Sequence, residues 1–135
     1  MRVDITSSEV KNVLVSEIEE ISGQDILKCY QCGRCSAGCP MCDEMDYLPN
    51  QIARLIQMGL EEEVLNSKTI WLCVSCFMCR SRCPRGVDLP TLMESVRFLA
   101  TKMGVDHFGP NEIDRRHAKE APQQAVVSVY RKQSA

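Results

Sequence analysis

Two stretches of this chain repeat one another cysteine for cysteine. CYQCGRCSAGCP begins at Cys29, and CVSCFMCRSRCP begins forty-four positions later at Cys73. Each reads C-x2-C-x2-C-x3-C-P, and together they hold eight of the nine cysteines in 135 residues. Dense, evenly spaced cysteine in a reducing compartment reads as metal binding rather than as disulfides. MRVDITSSEV contains no apolar leader core, and no apolar run approaches the roughly 18 residues that span a bilayer. The expected location is therefore cytoplasmic, with no direct membrane contact. A net charge of −2 gives no electrostatic reason to bind nucleic acid.

The spacing selects the kind of metal centre. A 4Fe–4S cube needs four thiolates in tetrahedral directions. Three cysteines at three-residue intervals can wrap one side of it in a single turn, but they do not easily reach the far corner. A proline after the fourth cysteine pushes that cysteine out of helical backbone and turns the chain away. Structural zinc sites instead use pairs of C-x2-C units, so a zinc-stapled interaction module is the weaker alternative. Cys42, the ninth cysteine, is expected to be a small packed side chain, with a spare thiol as the alternative.

The surrounding pattern is helical. Thr6 and Glu9 can form a capping box, and Val10, Val13, Leu14, Ile18 and Ile21 recur at helical spacing before Gly23. Pro49 suits a first turn, with Ile52, Leu55 and Ile56 on one face and Gly59 at the end. LEEEVL predicts a shorter helix, its glutamates on a solvated first turn. Asp88 and Pro90 start the clearest helix, whose stripe is Leu89, Leu92, Met93, Val96, Leu99, Ala100 and Met103 before Gly104. The tail is expected to be helical over AVVSVY and to offer apolar surface to a partner. Ile26 and Ile70 each stand three residues ahead of a run, and each run is followed by an Asp, a Pro and a helix. This is a two-unit repeat, which implies pseudo-symmetry. The expected organisation is an N-terminal helix and lead-in over 1–28, a helical cluster domain over 29–104, and a tail over 105–135.

The runs are similar to those of bacterial two-cluster ferredoxins, in which the fourth cysteine serves the other cluster. That similarity implies Cys29, Cys32, Cys35 and Cys83 around one 4Fe–4S cluster, and Cys73, Cys76, Cys79 and Cys39 around a second. With helices between and around the runs, the chain resembles the helical two-cluster ferredoxin family. CYQCGRCSAGCP, MDYLPNQIARLIQMGLEEEVL, IWLCVSCFMCRSRCPRGVDLP and PQQAVVSVYRK narrow the resemblance to the C subunits of CoB–CoM heterodisulfide reductase. The resemblance implies an all-α, helical ferredoxin-like domain with extra N- and C-terminal helices. It also implies a non-catalytic electron-transfer component of an oxidoreductase complex. Electrons would pass from a flavin-containing A subunit, through two 4Fe–4S clusters, to a cysteine-rich B subunit that reduces the CoM–CoB disulfide in methanogens. The iron–sulfur subunit of another anaerobic dehydrogenase, or a free ferredoxin, is the alternative within the same chemistry.

Nothing else in the chain asks for chemistry of its own. No G-x-G-x-x-G is present to hold a flavin or nicotinamide. His107 and His117 are expected at the surface, and Trp71 is expected to shield a cluster or fill core. Lys28, Arg34, Arg80, Arg82 and Arg85 flank the runs. Positive charge stabilises a reduced cluster, so the cluster beside Arg80 and Arg82 is expected at the higher potential, with a solvated docking rim the equal alternative.

Overall fold

The computed structural model describes residues 13–105 and 112–133, with side chains through Ser128 in the last helix. The Thr6–Glu9 capping box, Val10 and His107 lie outside the described residues. Among those described, regular structure is helical throughout. The chain divides into two compact units, Met1–Val105 and Asp106–Ala135.

In the first unit, α1 (Val13–Ser22) buries Leu14, Val15, Ile18 and Ser22. The expected stripe is rotated: Val13 and Ile21 face solvent, because Val15 and Ser22 complete the stripe that contains Leu14 and Ile18. A 3-10 turn over Ile26–Lys28, capped by Asp25, leads into the first cysteine run. Within that run lies α2 (Arg34–Ala37). After it comes α3 (Pro49–Met58), where Gln51 Oε1 accepts the Leu48 N–H at 2.8 Å and Gly59, in left-handed backbone, ends the helix. Next are α4 (Glu61–Leu65) and α5 (Thr69–Leu72), the lead-in to the second run. Inside that run is α6 (Met78–Arg82). The unit closes on α7 (Leu89–Lys102), whose N-cap Asp88 accepts from Thr91 N–H at 3.3 Å.

Helix α7 is the spine, packing against α1, α4, α5 and α6. Its buried face is the predicted stripe with Pro90 and Ser95 added and without Met103, which is exposed past the last turn. Ile26 and Ile70, the paired lead-in isoleucines, are both fully buried with Ile18, Ile52, Ile56, Leu92 and Val96. This core lies beneath the cysteine runs and holds their lead-ins rigid.

In the second unit, α8 (Arg115–Glu120) starts at Asp114, and α9 (Gln123–Gln133) follows Pro122. AVVSVY is therefore helical, as its spacing indicates, with Val126 half-buried and Val127 exposed. His117 is exposed. Among the described residues no helix is long and apolar enough to cross a membrane.

Candidate metal centre

The repeat in sequence is a repeat in backbone. Gln31 and Gly33 have φ of +64° and +75°, and the residues forty-four places on, Ser75 and Phe77, have +51° and +59°. Left-handed backbone at a bulky residue is costly. Its recurrence at the same places marks a loop shape imposed by the cysteines' task. Each loop is then held from behind by a helix. Gln57 Nε2 of α3 donates to the Ile26 and Cys29 carbonyls at 2.9 and 2.8 Å. Arg97 of α7 donates to the Cys73 carbonyl at 2.9 Å and to Ser75 Oγ at 3.1 Å. Cys29 and Cys73 are the first cysteines of their runs, so the two anchors are equivalent.

The halves are also tied crosswise. After the first run, the Asp46 carboxylate accepts from Ser67 Oγ and from the Lys68 and Thr69 N–H groups, at 2.9–3.0 Å. The Thr69 hydroxyl lies 2.6 Å away. Those residues open α5, the lead-in to the second run. Burial works to raise the Asp46 pKa, but these donors outweigh it and hold the carboxyl well below the usual carboxylate range. After the second run, Asp88 N–H donates to Gln24 Oε1, beside the lead-in to the first run. Arg80 pairs with Asp88 at 2.8 Å. Where α2 meets α6, a Cβ on Gly38 would lie 2.7 Å from the Arg82 guanidinium. Gly38 and Arg82 occupy equivalent places in the two runs, so the pseudo-two-fold axis passes between these helices.

None of the nine cysteines is paired in a disulfide. Cys39, Cys73, Cys76 and Cys79 line one pocket, with about 410 Å³ of atom-free space that includes open solvent. The rest of its wall is apolar, including Met45, Phe77, Leu89 and Met93. Burial, with the neighbouring Cys73, pushes the Cys79 thiol up to about 12. In the first run, burial likewise raises Cys35, against hydrogen bonding from Ser36. Cys32 is lowered, chiefly by the Arg34 N–H. Tyr30 is raised by its hydrogen bond with Cys32, and it also lies within the field of Cys83. Cys79 feels Cys35, which is its own equivalent. Cys42 is half-buried, its sulfur 3.5 Å from Asp43 Oδ1.

The donor set suits a cube. It is made of thiols, and around the pocket they surround a space rather than converge on a point. Among the described residues no three His, Cys, Asp or Glu side chains approach closely enough to hold a single ion. One zinc ion, bonded to sulfur at roughly 2.3 Å, requires such convergence. A cube with a metal at each corner does not. Sequence reasoning missed Gln57, Arg97 and Asp46 as supports, since each acts on a segment 21 or more positions away.

Residues 25–87 match the family described as 4Fe–4S dicluster domain. The chain is 36% identical over 96 residues to the iron–sulfur C subunit of CoB–CoM heterodisulfide reductase from Methanopyrus kandleri, covering 71% of this chain and 50% of that protein. It is 35% identical over 108 residues to the iron–sulfur C 2 subunit of the same enzyme from Methanocaldococcus jannaschii, covering 74% and 58%. The C subunit of a ferredoxin:CoB–CoM heterodisulfide reductase from Methanosarcina acetivorans is 37% identical over 78 residues, covering 58% and 31%. The chain thus spans about half the length of the first two of these relatives.

Proposed function

Since residues 25–87 match the 4Fe–4S dicluster domain family and the chain is similar to the C subunits of heterodisulfide reductase, we propose that it is the electron-transfer component of a heterodisulfide-reductase-type complex. Its cysteines hold two 4Fe–4S clusters, which when bound supply one-electron transfer. The proposed ligands are Cys29, Cys32, Cys35 and Cys83 for one cluster and Cys73, Cys76, Cys79 and Cys39 for the other. The observation that carries this reading is the pocket that brings Cys39 of the first run among Cys73, Cys76 and Cys79 of the second. A thiol set drawn from both runs welds the halves together and keeps the two centres near each other.

The chain's own residues position and insulate. Gln57 and Arg97 fix the loops from behind, so the ligands change little in geometry as charge moves. The wall around the second set is apolar and offers few polar groups to its sulfurs. The proposed partners are a flavin-containing A subunit and a cysteine-rich B subunit, in the cytoplasm. The terminal chemistry, reduction of a CoM–CoB-type disulfide, takes place on the partner. In this reading the chain has no active site of its own and binds neither nucleic acid nor membrane.

The test is anaerobic purification of the chain with its native partners. The expected result is two four-iron clusters' worth of iron and acid-labile sulfide per chain, with a flavoprotein and a cysteine-rich protein in the same complex. Two zinc ions with no sulfide would sink the reading. Full clusters without those partners would return the chain to a free ferredoxin or another dehydrogenase.

A further inference from the structure

The two runs repeat each other, yet their sulfurs sit in different company. On the first-run side a polar chain links two cysteines. Gln31 Nε2 donates to Cys29 Sγ at 3.5 Å, and its Oε1 accepts from Asn50 Nδ2 at 3.4 Å. Asn50 Oδ1 accepts from the Ser36 hydroxyl at 2.5 Å, and Ser36 Oγ lies 3.9 Å from Cys35 Sγ. The Val87 N–H donates to Cys83 Sγ at 3.3 Å. Two of the sulfurs assigned above to that cluster, Cys29 and Cys83, thus take an N–H donor, while the single Ser36 hydroxyl proton goes to Asn50 and holds the network in place. The other set faces hydrocarbon and thioether, with Cys79 taking the Arg80 N–H.

Reduction adds one negative charge to a cluster. Donors aimed at its sulfurs stabilise that charge, and apolar burial opposes it. Fixed cations do not reverse the contrast. Arg97 braces the second run through a carbonyl and a hydroxyl, but the charge of Arg34 is likewise felt at Cys32 in the first. Arg54, exposed, reaches the first side through Gln57 Oε1 at 3.5 Å. Arg80 is drawn to Asp88, which offsets its charge.

We propose that Gln31, held by the Asn50–Ser36 network, and the Val87 N–H make the cluster of Cys29, Cys32, Cys35 and Cys83 the higher-potential centre, so that an electron held by the chain rests there. This rests on the two-cluster ligand assignment above and reverses the order that the flanking arginines indicate in the sequence. With both ligand sets loaded, one electron would pass from the second-run centre, oxidising it, to the first-run centre, reducing it. No bond forms or breaks, and no proton is required.

Potentiometric titration of the fully loaded protein, followed by electron paramagnetic resonance, tests this. Gln31→Leu removes a sulfur donor and keeps the side chain's bulk. It should lower the upper midpoint by the equivalent of at least tenfold in the one-electron equilibrium, about 59 mV, and leave the lower midpoint in place. A purely structural role would lower iron content without moving a midpoint. Independently of whether Gln31→Leu loads, Cys32→Ser should abolish or displace the upper midpoint, and Cys76→Ser the lower. An unmoved upper midpoint in fully loaded Gln31→Leu, or the reverse pairing of the cysteine variants, overturns the inference alone. Unsubstituted protein without two four-iron clusters overturns the ligand reading beneath it, and iron and sulfide analysis shows this before any potential is read.

Discussion

Asp46 is a surface aspartate by composition and a clasp by position. Its carboxylate gathers Ser67, Lys68 and Thr69 at the start of α5. A remote side chain thus does the work that a local N-cap does elsewhere, as Asp88 does for α7. Asp46→Ala should cost about 0.5–2 kcal/mol, the range for losing a capping oxygen, read as a lower midpoint in anaerobic thermal unfolding. The folded pKa of this carboxyl is depressed. Its contribution is therefore complete above the unfolded carboxylate value of about 3.9. It is lost as pH falls through the folded value. The gap between the unsubstituted protein and Asp46→Ala should be flat near neutrality and close on strong acidification. The acidic residues after the first run were visible in the sequence. Which of them bridges the halves was not, because its donors lie more than twenty residues downstream.

Among the elements, α7 shows what periodicity decides. Asp88, Pro90 and Gly104 bound a stripe of apolar residues, and the helix forms between those bounds with that stripe inward. Leu92 is fully buried, whereas Phe98, on the same helix, is 58% exposed. Leu92→Ala should cost about 2–5 kcal/mol through lost burial and the cavity left behind. Phe98→Ala should stay within about 0.5 kcal/mol. Chemical denaturation of both variants checks the contrast. Helix α1 is the instructive departure. Val13, Leu14, Val15, Ile18 and Ile21 allow two overlapping stripes, and only the position of α7, against which α1 packs, selects Leu14, Val15 and Ile18.

At the scale of the whole molecule, the cross-tied halves carry a prediction of their own. If each run lends its fourth cysteine to the other's cluster, Cys83→Ser should damage the centre of Cys29, Cys32 and Cys35 and spare its own run's centre. Cys39→Ser should do the reverse. Site-resolved spectroscopy of the two variants distinguishes this from self-contained runs, in which each substitution would harm its own run. The same architecture explains why one residue type at equivalent places has different consequences. Gln57 and Arg97 brace the same carbonyl in each half, one neutral and one cationic. The loops they brace face a polar network on one side and an apolar wall on the other.

What the sequence determined by itself is what neighbouring residues can enforce. The x2 spacings, the proline after each fourth cysteine and the helices flanking the runs are local, so the donor type and the helical class could be read directly. Tertiary structure alone decided what depends on distant segments meeting. Cys39 comes to lie among Cys73, Cys76 and Cys79, Asp46 clasps the second lead-in, and Asn50 reaches Gln31 beside Cys29. The physical reason is that the burial of Ile26, Ile70 and the α7 stripe sets the relative position of the halves. No spacing along the chain encodes the polarity that each sulfur then meets.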